Sequence, residues 1–233
     1  MDMNLLALLP VMYVAFLFST VCHEAAHALV AKWGGDNTAY VGGQVSLDPM
    51  PHVRREPFGL ILIPMLSLFM SGGGAMFGWG SAPFDPFWQI RYPRRAALMA
   101  LAGPMTNFAL AAVAALVMHA GIAMGYFFPA GGLQVVATNG GLLEAFAVFI
   151  SVFLKLNVLL GVFNLLPVPP LDGYSVLGLF LPEDIFLRLL EVIRSPAYSI
   201  FGLLFAWHAL PYIINPAFSF AARIINLYGA VGY

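Results

Sequence analysis

Charge is what this sequence has least of. Only 9% of its 233 residues are charged, where an ordinary soluble domain carries roughly 25%. The hydrophobic share is 61% and the mean hydropathy is +0.87, more apolar surface than a water-soluble monomer could hide. Ten Lys and Arg against eleven Asp and Glu leave a net charge of −1, spread along the chain, which excludes the basic footprint of a nucleic-acid binder. The single cysteine, Cys22, excludes an internal disulfide and any multi-cysteine metal site, so a bound zinc would rest on His and carboxylate ligands. The opening Met1-Asp2-Met3-Asn4 lacks the basic start of a secretory signal, and the apolar run behind it reads as a retained span. No repeat, low-complexity tract or extramembrane domain large enough to fold alone is visible.

What is present is a series of long apolar runs. They predict an all-α membrane protein, a polytopic helical bundle of roughly four to six transmembrane segments, forming a single domain over 1–233 with a catalytic core at about 15–180. Leu5 to Lys32 is the first span, stopped by Gly34-Gly35. Thr38 to Leu47, with Gly42-Gly43 at its centre, reads as a small β-hairpin at the membrane rim. Pro57 to Phe77 is apolar, is broken by Pro64 and Ser71-Gly-Gly-Gly74, and has basic residues on both flanks (Arg54, Arg55; Arg91, Arg94, Arg95). Positive charge marks the cytoplasmic side, so this segment is read as re-entrant, against a plain span. Further spans are expected at Ala96–Met124, Leu142–Leu166 and Pro196–Ile214, followed by an amphipathic tail with Arg223. The run Leu142–Leu166 breaks at Pro167-Val-Pro-Pro170.

His23-Glu-Ala-Ala-His27 carries the chemistry. Two imidazoles four residues apart lie one helical turn apart and can reach one ion, and Glu24 projects near enough to activate a metal-bound water. With five His and five Glu in 233 positions, about 0.002 accidental matches are expected. The alternative, a polar patch between helices, would place three ionisable groups at membrane depth with no task. A catalytic zinc wants a third protein ligand. Asp172, behind the proline-broken segment and before Gly173, is the strongest choice, with a helix N-cap as its other reading.

These residues resemble the site-2 protease family of intramembrane metalloproteases. That family pairs His-Glu-x-x-His with a distant Asn-x-x-Pro-x-x-x-x-Asp-Gly, here Asn164-Leu-Leu-Pro167-Val-Pro-Pro-Leu-Asp172-Gly173. Ala102-Gly103-Pro104-Met-Thr-Asn107 is similar to a Gly-Pro-x-x-Asn helix between them, and Ser46 to His52 to a loop of compact members without a PDZ domain. The resemblance implies zinc on His23, His27 and Asp172, and Glu24 as general base. It makes Asn164 a candidate for positioning the substrate backbone or stabilising the oxyanion, and Asn107 a weaker one. It also implies a membrane-protein or peptide substrate met within the lipid bilayer, and a prokaryotic inner membrane with the active site toward the cytoplasm. Partner subunits could supply substrate recognition.

The remaining polar residues are read modestly. His52 is expected to be structural rather than an auxiliary ligand, and Asn157 to bond between helices. Lys155 should find a partner, a carbonyl or a cavity. His119 and His208 are expected to pack or sit at an interface, and Cys22 to be a small buried side chain. A non-catalytic zinc-binding scaffold subunit is the rival reading, and Glu24 argues against it. A metal transporter would need acidic or histidine residues distributed along the spans.

Overall fold

In the computed structural model, which describes residues 5–72, 76–137, 140–193 and 196–226, four helices are long and apolar enough to cross a bilayer. They belong to α1 (Leu5–Gly34), α6 (Pro93–Ala123), α7 (Gly141–Asn164) and α10 (Pro196–Asn226). The short elements between them are α2 (Thr38–Val41), α3 (Pro49–Arg55), α4 (Ile63–Met70), α5 (Pro86–Arg91), α8 (Asp172–Val176) and α9 (Glu183–Ile193).

α1, α6 and α7 pack against one another, and α10 packs on α7 and α6. The spanning window of α1 is 61% buried inside the protein and that of α10 only 17%, so α1 is the central helix and α10 faces outward. Small side chains permit the close approach. Ala15 of α1, Ala111 and Ala114 of α6 and Ala147 of α7 are all buried in one cluster with Met118, Phe153, Leu154 and Ile214. In a bilayer, where hydrophobicity gives no drive for helices to associate, such close packing holds them together.

The segment after α3 enters the bundle and returns. A π-helical stretch, Phe58–Leu62, leads into α4. Phe58–Met70 is a short apolar helix, about 20 Å long at 1.5 Å per residue, too short for a core of about 30 Å. Extended chain then runs back beside it. The Trp79 N–H donates to the Gly59 carbonyl (3.1 Å) and the Phe77 N–H to Ser67 Oγ (2.9 Å). The two mouths of the loop are tied together, Ser81 Oγ donating to Glu56 Oε1 at 2.5 Å and accepting from Arg55 Nε at 3.0 Å.

The hairpin expected over 38–47 is not formed there. Asp36 Oδ1 accepts from the Thr38 N–H (2.9 Å) and hydroxyl, which starts the helical turn α2, and Gln44 turns inward to donate to the Ser81 carbonyl (2.8 Å). Among the described residues no strand lies opposite, so local capping decides the conformation. The two-stranded antiparallel hairpin is β1 (Phe127–Pro129) and β2 (Val135–Ala137), with Phe127 opposite Ala137. It lies between α6 and α7, in the stretch read from sequence only as an uncharged loop. The last helix also outruns its expected end at Ile214, continuing through Pro211 and Pro216 to Asn226.

Candidate metal centre

Three ligand atoms from two distant parts of the chain converge. His23 and His27, one turn apart on α1, bring their Nε2 atoms to 2.9 Å. Asp172 Oδ2 lies 3.1 Å from His23 Nε2 and 3.3 Å from His27 Nε2. Asp172 arrives there because α7 ends at Asn164 and the proline run folds back into α8. The fold-back is tight: a Cβ on Gly173 would collide with the Leu165 and Leu166 carbonyls, so glycine serves here for close approach, not for a left-handed turn. Asp172 is the first residue of α8 and caps nothing, the N-cap position being Leu171 with no side-chain bond. Its carboxylate is turned to the imidazoles instead.

The hydrogen bonds around the histidines fix which ring nitrogens face the centre. His27 Nδ1 donates to the Met99 carbonyl at 2.7 Å; a carbonyl can only accept, so His27 Nε2 is left with its lone pair. The assignment for His23 starts from another backbone group. Asn157 Nδ2 donates to the Phe153 carbonyl (2.9 Å) and to Ser19 Oγ (2.8 Å), so Asn157 Oδ1 accepts from Asn107 Nδ2 at 2.9 Å. That turns Asn107 Oδ1 to His23 Nδ1, 2.5 Å away, making Nδ1 the donor and leaving Nε2 bare.

The centre is therefore three electron pairs at 2.9–3.3 Å from one another, an arrangement that repels itself unless a cation lies among them. Ligand atoms around a tetrahedral ion at 2.0–2.1 Å stand about 3.3 Å apart, so the set fits such an ion. Space is kept for one by Gly103 of α6, where a Cβ would clash with both Nε2 atoms. Among the described residues, His23, His27 and Asp172 are the group so placed.

Glu24 is buried beside the pair, only 7% exposed. Its side chain makes no hydrogen bond among the described residues and is covered by the returning segment, where a Cβ on Gly80 would meet Glu24 Oε1 at 2.8 Å. The other sequence candidates fall outside the centre. Asn107 is fully buried with both ends of its amide engaged. Asn164, the last residue of α7, is half-buried and without a side-chain hydrogen bond among the described residues. His52 is 1% exposed and bonded between the Ser46 carbonyl (3.0 Å) and Gln44, in keeping with its structural reading. Asn157 does bond between helices, to α6 and α1. His119 ties α6 to the Ile224 carbonyl of α10 (3.1 Å), His208 lies against Tyr212 and Cys22 is a buried free thiol.

Sequence reasoning missed Gly103 and Gly80. Gly103 stood inside a motif read only through Asn107, and Gly80 carried no signal, since its role depends on a packing between residues 56 apart in sequence.

Comparison with known proteins adds an independent line. The profile of Peptidase family M50 matches residues 11–193. A Bacillus subtilis (strain 168) protein named "Putative zinc metalloprotease YwhC" is 32% identical over 230 residues, 97% of this chain and 94% of that one. Proteins named "Putative zinc metalloprotease Rip2" are similar over less of their length: the one from Mycobacterium tuberculosis is 34% identical over 174 residues, 72% of this chain and 56% of its own, and the one from Mycolicibacterium smegmatis 30% identical over 162. No solved structure gives a significant match.

Proposed function

The chain belongs to peptidase family M50, and on that premise we propose that it is a zinc-dependent endopeptidase hydrolysing peptide bonds within or beside the transmembrane segments of membrane-protein substrates. The observation that carries this reading is the convergence of His23 Nε2, His27 Nε2 and Asp172 Oδ2 next to an uncommitted Glu24. Three protein ligands leave a fourth position open, the pattern of a catalytic zinc and not of a closed structural one.

Zinc, when bound, supplies a Lewis acid that acidifies water and polarises the scissile carbonyl. His23, His27 and Asp172 would hold it. Glu24 accepts the proton of the attacking water on its carboxylate and delivers it to the leaving amine. Asn107 and the Met99 carbonyl act as positioning groups, holding the two imidazoles in the tautomer that presents Nε2. The chain 76–85 carries no helix or strand of its own. That chain lies over Glu24 and can offer backbone groups to an unwound substrate. Asn164 is retained as a candidate for contacting the substrate backbone.

His23 and His27, which would hold the metal, lie toward the C-terminal end of α1. At that end Arg95 Nη1 donates to the Gly34 carbonyl (3.0 Å), and Arg54, Arg55, Arg91 and Arg94 belong to the adjoining short elements and the start of α6. This basic end supports an orientation with the site toward the cytoplasm.

The test is reconstitution of the purified protein with zinc and single-span peptide substrates. Wild type should cleave, Glu24→Gln should retain zinc without cleaving, and Asp172→Ala should lose zinc. A wild type that binds zinc stoichiometrically but cuts no substrate would sink the protease reading in favour of a scaffold.

A further inference from the structure

The polar side chains that the metal centre leaves unused differ in what surrounds them. Lys155 of α7 lines a groove beside the β1–β2 turn, with Gly131, Gly132, Gln134 and Ser219 exposed around it, where an ammonium can stay hydrated. Thr20 of α1 has no such outlet. It is 7% exposed, and among the described residues its Oγ1 is the buried side-chain polar atom with no hydrogen-bond partner. It does not donate even to the carbonyl one turn back, the usual recourse of a helical threonine. A buried hydroxyl left unpaired is destabilising where a valine of the same shape would not be.

The place of Thr20 on its helix points to the site. Counted at about 100° per residue from His23, His27 stands at about 40°, Glu24 at about 100° and Thr20 at about 60°. Thr20 therefore lies on the face that carries the ligands and the base, about 4.5 Å before His23 along the axis. The segment that enters and returns covers this face along its length. Tyr13 Oη donates to the Leu60 carbonyl at 3.1 Å, a Cβ on Gly78 would collide with the Phe16 ring, and one on Gly80 would meet Glu24 Oε1. Phe16, Thr20 and Glu24 follow one another at intervals of four residues, so Thr20 and Glu24 are enclosed together beneath the chain 78–80.

We propose that Thr20 is a positioning residue for Glu24: its hydroxyl donates to a water that in turn donates to the Glu24 carboxylate, and this bridge fixes the carboxylate's orientation. The inference rests on the protease reading, in which Glu24 is the base. A catalytic base is normally oriented by a further group, and among the described residues no protein group hydrogen-bonds to Glu24. Side chains one turn apart stand about 5–6 Å apart at Cβ, a gap that one water spans with an acceptor toward Thr20 and a donor toward Glu24. A single shared water satisfies both groups at once.

The full chain, loaded with zinc and reconstituted with single-span peptides, is compared with Thr20→Val, which keeps the shape and removes the hydroxyl, and Thr20→Ser, which keeps the hydroxyl. Thr20→Val should lower kcat by about 10-fold, the worth of one hydrogen bond, at unchanged KM and zinc content, and Thr20→Ser should recover most of the rate. Thermal unfolding of Thr20→Val should not fall, since the hydroxyl has no protein partner to lose. A measurement without substrate reads the connection itself. The Glu24 carboxyl infrared band, identified by its loss in Glu24→Gln, should shift in Thr20→Val and return in Thr20→Ser. An unmoved band, a rise in KM at unchanged kcat, or a lower unfolding temperature accompanying the loss of rate overturns the assignment. A wild type that cuts no peptide counts against the protease reading instead, and the infrared band then still decides whether Thr20 and Glu24 are joined.

Discussion

Asn107 Oδ1 accepts the Nδ1 proton of His23 across 2.5 Å, joining α6 to α1 at a point wholly shielded from solvent. The bond costs Asn107 any direct part in substrate chemistry and gives it control of the ring that carries a metal ligand. Asn107→Leu is expected to lower zinc affinity by about 10–100-fold, the usual loss when a ligand's hydrogen-bond partner is removed. Asn107→Asp keeps an acceptor toward His23 and should restore much of that affinity. Competition with a chromophoric chelator measures both.

Gly103 gives a sharper outcome. A methyl group there occupies the place where the two Nε2 atoms point, so Gly103→Ala should abolish stoichiometric zinc and cleavage together while leaving helix content unchanged. Zinc content by atomic absorption and far-ultraviolet circular dichroism decide it. Full zinc occupancy in the variant would show that the gap is not the ion's place.

Glu24→Gln removes the proton acceptor and preserves shape. Cleavage should fall by about 10²–10⁴-fold, the range general acid–base catalysis supplies, at unchanged zinc stoichiometry. Loss of zinc along with activity would make Glu24 a ligand instead of a base.

Gly80→Val tests whether the returning segment is part of the site. The added side chain must displace either Glu24 or the chain 76–82, and a misplacement of about 1 Å can cost 10²-fold in rate. Turnover should drop by about that factor with zinc binding intact, since the atoms nearest a Cβ on Gly80 all belong to Glu24. An unchanged rate would place the segment away from the reacting atoms.

Asn157 joins three helices through Asn107, Ser19 and the Phe153 carbonyl. Asn157→Leu leaves the Asn107 amide and the Ser19 hydroxyl without that partner in a dry interior, at a cost of about 1–3 kcal/mol for each buried group left unsatisfied. Thermal unfolding in detergent should shift down, and zinc affinity should weaken with it because Asn107 loses its anchor.

Much of the protein was legible in the chain. The spans are set by composition and length, because an apolar run of about 20 residues in a bilayer has no alternative to a helix. His23, Glu24 and His27 were legible because helical spacing alone places them on neighbouring faces of one turn. Basic residues at both ends of 57–77 pointed to a segment that turns back, and the chain at Phe77 and Trp79 does bond to Ser67 and Gly59 of the stretch before it. The hairpin was misplaced because a glycine pair between apolar residues looks the same in a strand turn and after a helical turn. At 38–47 the outcome was settled by the Asp36 carboxylate and by the lack of an opposite strand, and at 127–137 by packing on α7.

Sequence by itself determined the membrane class, the helical spans and the two halves of a metal motif, since each depends on residues near one another in the chain. Only the tertiary structure decided that Asp172 meets the histidines, that Gly103 keeps the space between them open and that Asn107 and the Met99 carbonyl set their tautomers. It also decided that Gly80 covers Glu24 and that Lys155 faces a cavity. These relationships join residues tens of positions apart, and a side chain's neighbours across a helix interface are fixed by how whole helices pack, which no local pattern encodes.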